Sequence, residues 1–192
     1  MSDPHNPIVT HHRQVGRLAA ELERLRKALP KRERLIVGVV QAARVALAAS
    51  LGYIAARALG LEQGFWAAIT AISVTQNSFA EVKSSSHDQF IGAVFGGVLG
   101  LAAAAFGHDP YFAYVLALML GTLLCWVCNL GAAGRVTGIT TTIIMLVPHT
   151  GAAFWQIALL RLGEVMLGAV AALLVTALVD RVSATLGFSK PD

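Results

Sequence analysis

The chain has 192 residues, of which 56% are hydrophobic and 14% are charged, and its mean hydropathy is +0.64. This composition is too apolar for an ordinary water-soluble domain and is typical of a protein that lies in lipid. The formal net charge of +4 does not indicate nucleic-acid binding, because eight of the 15 Lys and Arg residues lie between Arg13 and Arg34, directly before the first apolar stretch.

The N-terminal 30 residues predict a cytoplasmic segment. Residues 1–9 contain two prolines and little apolar surface, so we expect a disordered tip. Residues 10–30 predict an amphipathic helix, whose apolar residues recur at spacings of three and four: Val15, Leu18, Leu22, Leu25 and Leu29. This heptad-like helix can lie on the membrane surface or pair with a partner helix. The segment lacks the apolar core and cleavage site of a signal peptide, so we expect it to stay in the cytosol.

Residues 35–182 predict one all-α membrane domain of six transmembrane helices, because a span needs about 20 apolar residues. The predicted spans are 35–59, 64–83, 88–107, 111–130, 135–153 and 156–180, followed by a cytoplasmic tail at 183–192. The breaks fall at turn-forming or charged runs, among them EVKSSSHD between the second and third spans. With the N-terminus inside, the cytoplasmic segments hold 12 Lys and Arg residues and the outer loops hold only Arg57. This asymmetry predicts a multi-pass protein of the bacterial inner membrane with both termini in the cytosol.

A weak internal similarity relates the two halves of this domain. A shift of 72 residues aligns QFIGAVFGGVLG of the third span with RLGEVMLGAVAA of the last span and places Gly96 on Gly168. The same shift places Trp66 on Gly138. Each unit would contain three spans, so the units would be inverted repeats, an arrangement in which many transporters bind substrate near the bilayer midplane.

Arg44 lies close to the middle of the first span. A charged side chain is costly there and by default faces a polar cavity or a partner, so Arg44 is a candidate anion site. The alternative is a structural ion pair between Arg44 and Glu164.

Arg161 and Glu164 lie three residues apart on one face of the last span and can neutralise each other. Arg161 can instead anchor the helix at the outer interface. Glu164 lies deeper and can act as a counter-ion or carry a proton. The residue types fit each of these roles.

The second and fifth spans are unusually polar. We place Thr70, Gln76 and Thr141 on a candidate substrate path, because hydroxyl and amide groups can line one. The alternative for the hydroxyl groups is the commoner one, in which they bond back to carbonyls of their own helix.

A glycine row predicts close helix packing. Gly92, Gly96 and Gly100 recur every four residues in the third span, and Gly168 takes the corresponding place in the last span. Small residues at this spacing let helix backbones approach closely, within one subunit or between subunits.

The sequence contains no recognisable motif for catalysis, a cofactor or a metal. A phosphate-binding GK[ST] loop, an HExxH motif and clustered Cys and His residues are all lacking. Cys125 and Cys128 lie in an apolar run, CWVC, where packing is a simpler role than redox chemistry or metal binding. We therefore expect neither an enzyme nor a cofactor-dependent protein.

Four segments resemble the fusaric acid resistance-like family of integral membrane transporters, also called aromatic acid exporters. They are AARVALAASLG in the first span, GFWAAITAISVTQ in the second, IGAVFGGVLG in the third and RLGEVMLGAVAALLVTALV in the last. The resemblance covers about residues 35–182 in the family's six-helix order, and the plant aluminium-activated malate channels look distantly similar.

The resemblance implies passage of organic, often aromatic, carboxylates, commonly outward, by a protein that can be dimeric. The family's first-span arginine, its last-span arginine and acid, and its second-span tryptophan have counterparts here: Arg44, Arg161, Glu164 and Trp66. The chain departs from an R-x-x-G-T pattern at the start of the third span, where it has Gln89 and Ala93 with Gly92 kept. The positive charge that the family often has there is therefore not carried over.

Two hypotheses of function follow. The first is a transporter or channel for organic anions with Arg44 as its positive site. We expect a homo-oligomer, with a dimer favoured, because six short helices give a thin wall around a pore. The second is a non-transport scaffold or accessory subunit that recruits a partner through residues 10–30.

Overall fold

The computed structural model describes residues 30–107, 109–147 and 153–185. These residues form six α-helices and no strand: α1 Lys31–Ala58, α2 Phe65–Val74, α3 Phe79–Phe106, α4 Pro110–Val127, α5 Gly131–Leu146 and α6 Phe154–Thr185. The predicted all-helical class is confirmed for this part of the chain. The predicted tip at 1–9, nearly all of the helix at 10–30 and most of the tail at 183–192 lie outside the described residues.

The chain divides into two compact units after Gln41. The described residues of the first unit, 30–41, comprise Pro30 and the beginning of α1. All contacts described below lie within the second unit, Ala42–Asp192.

Four helices are long and apolar enough to cross a membrane, namely α1, α3, α4 and α6. The apolar helix α2 has only 10 residues, and α5 has 16. A span needs about 20 residues, so these two helices are shorter than the predicted spans 64–83 and 135–153. The helices therefore support a multi-pass membrane protein with four long candidate spans and two short helices.

The break between α2 and α3 lies at residues 75–78, and residues 84–87, where a break was predicted, are helical. Local hydrogen bonds explain this correction. The Thr75 hydroxyl donates to a carbonyl of its own helix at 2.6 Å, and the Ser78 hydroxyl accepts from the backbone N–H of Glu81 at 3.3 Å. Ser78 thus caps α3 well before the serine-rich run, whose residues are compatible with a helix.

The bounds of α5 also differ from the predicted span 135–153, because the helix begins at Gly131 and ends at Leu146. The early start follows a tight turn in which Asn129 has a left-handed φ of 58°. The early end coincides with extended backbone at Val147, which precedes a proline in the sequence, and a residue before proline disfavours helix.

The turns after α1 and α4 are of the same type. Gly60 and Asn129 have φ values of 78° and 58°. In each turn this residue and the next one donate back to carbonyls in the last helical turn, which is the Schellman pattern. These turns allow α2 and α5 to begin a few residues after the preceding helix ends.

Each short helix lies between two glycines of its neighbours. The contacts join Ala67 of α2 to Gly52 of α1 and Gly168 of α6, and Thr137 of α5 to Gly121 of α4 and Gly96 of α3. The missing side chains let the helix backbones come together there. Gly92 also faces α5, and Gly100 lies against the Ile144 side chain.

Small residues fill the inside of the helix assembly, and large apolar residues face outward. One cluster of buried residues consists of Ala48, Ala71, Val74, Val82, Ala172 and Val175. Many Leu, Ile, Phe and Trp side chains are instead exposed, including Leu123 and Trp126 on α4. This distribution suits an assembly of helices surrounded by lipid, where small residues mediate helix contacts.

Candidate functional site

Arg44 joins three parts of the chain. It lies halfway along α1, is only 6% exposed, and its Nη1 donates to the carbonyls of Gln76 and Asn77 at 3.1 and 2.9 Å. Its Nη2 donates to Asp180 Oδ1 near the end of α6 at 2.8 Å. Arg44 therefore pairs with Asp180 and not with Glu164, the partner considered in the sequence analysis.

The local backbone explains why Arg44 binds at this place. The chain leaves the helical conformation at Thr75, so the carbonyls of Gln76 and Asn77 lie beyond the end of α2 and accept from a side chain instead. A cation is also favourable beside the C-terminal end of a helix. Arg44 thus stabilises the interruption between α2 and α3.

A second buried pair lies on α6. Arg161 Nη1 is 3.6 Å from Glu164 Oε2, and the two side chains are 4% and 5% exposed. The Arg161 guanidinium carbon lies 4.8 Å from the ring centroid of Trp66, a cation–π contact. Arg161 Nε and Nη1 have no hydrogen-bond partner among the described residues.

The two arginines contact opposite ends of the same short helix. Trp66 lies in the first turn of α2, whereas the carbonyls that Arg44 binds follow the last turn. Along α6, Arg161 and Asp180 are separated by about 28 Å at helical rise. An Arg–carboxylate pair therefore lies at each end of α2.

The polar residues predicted for a path have different environments. Thr70 is buried, and its hydroxyl has no partner among the described residues. Gln76 contributes its backbone carbonyl to Arg44, and the Thr141 hydroxyl donates to the carbonyl of Gly96 on α3 at 3.3 Å. Three further buried hydroxyls are also unpaired in this part of the chain: Ser86, Thr140 and Thr176. Burying a hydroxyl without a partner is costly, so these four positions are polar sites in an otherwise apolar interior.

An open groove of about 770 Å³ runs along α4 and α5. Trp66, Tyr114 and Trp126 contribute aromatic surface to it, and Arg135 contributes a positive charge. Such a lining can hold an apolar ring together with an acidic group. Trp66 is shared between this groove and the Arg161 pair.

Asp180 is the site residue that the sequence analysis missed. It lies at the end of the predicted last span, 136 residues from Arg44. Local spacing gives no sign of a contact between residues so far apart in sequence. An acidic residue at the end of an apolar run was the one available signal, and it also fits an ordinary membrane-flanking residue.

Comparison with known proteins identifies one matching family. A family model described as fusaric acid resistance protein-like matches residues 48–175, which include Trp66, Arg161 and Glu164. Arg44 and Asp180 lie just outside the matched range. No curated protein and no solved structure matches the chain.

Proposed function

The chain belongs to the fusaric acid resistance protein-like family, and on this premise we propose that it passes organic carboxylate anions across the bacterial inner membrane. In this proposal the protein is a transporter, with efflux favoured, or a channel. Its substrates are aromatic or aliphatic carboxylates, and Arg44 is the central positive site.

The observation that carries the proposal is the position of Arg44. Its guanidinium is buried halfway along a candidate membrane span, beside the interruption between α2 and α3. Irregular backbone at membrane depth occurs where it is buried in protein or lines a water-filled cavity, and interrupted helices form ion sites in many transporters. An arginine beside such an interruption is a suitable site for a carboxylate.

Related contacts in the two halves support an inverted-repeat architecture. Gly52 and Gly121 are 69 residues apart, Ala67 and Thr137 are 70 apart, and Gly96 and Gly168 are 72 apart, and these residues make matching contacts. The ends of α2 and α5, Val74 and Leu146, are also 72 residues apart. Short helices in corresponding positions of two halves point to a binding site between them.

On the proposed repeat, packing alone would not require Arg44. The 69-residue offset between α1 and α4 places Arg44 on Ala113, which is buried. The second half thus has a small apolar residue at that position. A costly charge in one half only is best explained by a role in binding.

Trp66 and Arg161 form the other end of the proposed path. Their cation–π contact lies at the start of α2, and Trp66 also lines the groove between α4 and α5. Thr70 follows Trp66 one helical turn deeper, with an unpaired hydroxyl. These residues give an anion polar and aromatic contacts between the two arginines.

The test is carboxylate flux into proteoliposomes that contain the purified full chain. Uptake of benzoate, malate and related acids is measured for wild type, Arg44→Ala and the matched control Arg57→Ala, whose arginine lies on the same helix but is exposed. We expect Arg44→Ala to lower uptake at least about tenfold, because one charge-assisted contact contributes about 1.5–3 kcal/mol. Arg57→Ala should transport like wild type.

Folding is checked by thermal unfolding and gel filtration of each variant. Unchanged uptake in folded Arg44→Ala would remove Arg44 from the site. No uptake by folded wild type across the panel would contradict the transport proposal and favour a scaffold that binds a partner through residues 10–30.

A further inference from the structure

Asp180 differs from its partner Arg44 in exposure. The Arg44 side chain is 7% exposed, whereas the Asp180 side chain is 43% exposed, although their closest atoms are 2.8 Å apart. The carboxylate is thus open on its own side of the contact, at the end of the predicted last span. It can leave Arg44 at a much smaller desolvation cost than a fully buried carboxylate would have.

The donors of Arg44 are unevenly used. Nη1 is occupied by two carbonyls and Nη2 by Asp180, while Nε is buried and has no partner among the described residues. The edge formed by Nε and Nη2 is one that a carboxylate binds with both oxygens. Asp180 uses half of this edge, so the site holds a carboxylate in an incomplete geometry.

We propose that Asp180 is an internal counter-ion that the substrate carboxylate displaces from the Nε–Nη2 edge of Arg44. This inference rests on the proposed function and extends it to a second residue of the same site. The incoming carboxylate engages both donors, and the released Asp180 carboxylate turns toward water. Displacement also removes the contact between the end of α6 and Arg44 on α1.

The proposal separates substrate affinity from stability. If the pair is purely structural, neutralising Asp180 should lower both the stability of the protein and its affinity for substrate, because Arg44 would be left with fewer partners. If Asp180 competes with the substrate, neutralising it should lower stability but raise affinity, because the substrate no longer has to break an existing charge-assisted contact. The two quantities then change in opposite directions.

The experiment compares wild type with Asp180→Asn and with the control Asp88→Asn, which neutralises a partly exposed carboxylate on α3 that is 3.9 Å from His87. Half-saturating benzoate concentration is measured in proteoliposomes, and melting temperature is measured with and without benzoate. For Asp180→Asn we expect a half-saturating concentration about tenfold lower and a lower melting temperature without benzoate. Asp88→Asn should match wild type in both measurements.

The outcomes distinguish this inference from the proposed function. Uptake by wild type with an unchanged or higher half-saturating concentration in Asp180→Asn overturns the inference alone. Folded wild type that neither takes up nor is stabilised by any tested carboxylate overturns both. If Asp180→Asn does not give monodisperse protein, Asp180→Ser removes the same charge, and Asp180→Glu should retain the wild-type half-saturation.

Discussion

At the scale of single residues, the two buried arginines have different partners that compensate their charge. Arg44 has three hydrogen-bond acceptors, two of them backbone carbonyls. Arg161 has an acid at 3.6 Å and an aromatic ring, and two of its nitrogens have no partner in the described chain. Arg161 therefore depends strongly on Glu164 for charge compensation.

Replacing Glu164 by Gln should strongly destabilise the protein, because it leaves Arg161 buried without a counter-charge. Breaking a buried ion pair by removing one partner costs about 3–5 kcal/mol. The free energy of unfolding in mixed micelles is the measurement, and Glu81→Gln, at an exposed position of α3, is the control. The double variant Arg161→Met/Glu164→Leu should recover much of the lost stability, because no uncompensated charge remains. Glu164→Gln with wild-type stability would contradict a dependence of Arg161 on this carboxylate.

The sequence alone predicts the burial of Arg44 and the proximity of Arg161 to Glu164, but it does not predict the partner of Arg44. Proximity at a spacing of three residues follows from helix geometry. The pair between Arg44 and Asp180 depends on how α6 packs against α1, which no local pattern specifies. The sequence likewise gives no sign that Arg44 is already paired with a carboxylate of the same chain.

At the scale of helices, the main difference from expectation is the shortness of α2. The length of the apolar stretch predicts a span up to residue 83, yet the helix ends at Val74. Two polar runs lie close together in this region, at 75–78 and 84–87, and each is a plausible break. Two contacts favour a break at 75–78. Ser78 caps the start of α3, and Arg44 donates hydrogen bonds to the backbone carbonyls that the end of α2 leaves free. The second of these effects is tertiary and could not be predicted from local sequence.

The glycine contacts of α3 yield a matched pair of substitutions on neighbouring residues. A Cβ at Gly96 would lie 2.5 Å from the Thr137 carbonyl oxygen and 2.7 Å from Thr140 Cβ, whereas a Cβ at Gly97 would meet only Ala158 Cβ at 4.0 Å. Gly96→Ala should lower the free energy of unfolding by about 1–3 kcal/mol through overpacking. Gly97→Ala should leave stability unchanged or raise it by up to about 1 kcal/mol, because alanine is the better helix former.

Thermal or denaturant unfolding of the two variants in the same detergent checks this prediction. Equal stability of Gly96→Ala and Gly97→Ala would show that α3 and α5 do not approach as closely as described. Because Gly168 makes the matching contact on α2, Gly168→Ala serves as an independent test of the same packing in the other half.

At the scale of the whole molecule, the lengths of the short helices α2 and α5 limit how the chain can cross the membrane. Helices of 10 and 16 residues do not reach across a hydrocarbon core about 30 Å thick, so in a six-span arrangement the chain on either side of them would complete each crossing. The exposed apolar residues of α4 and the groove along α4 and α5 offer surface to lipid or to another copy of the chain. A homodimer, which we favour, would shield the short helices from lipid.

The orientation of this assembly in the membrane is the remaining prediction, and the two native cysteines provide the probe. Cys128 is exposed just after α4, whereas Cys125 is buried. With both termini in the cytosol, as the distribution of Lys and Arg predicts, the end of α4 faces the cytosol. A membrane-impermeant maleimide should therefore label wild type in inside-out vesicles and leave it unlabelled in intact spheroplasts.

Two variants serve as controls for this labelling. Cys128→Ser should remove the labelling. Glu62→Cys in that background should be labelled from the opposite side, since Glu62 follows α1 and is exposed. The reverse pattern would contradict this prediction and would place both termini outside.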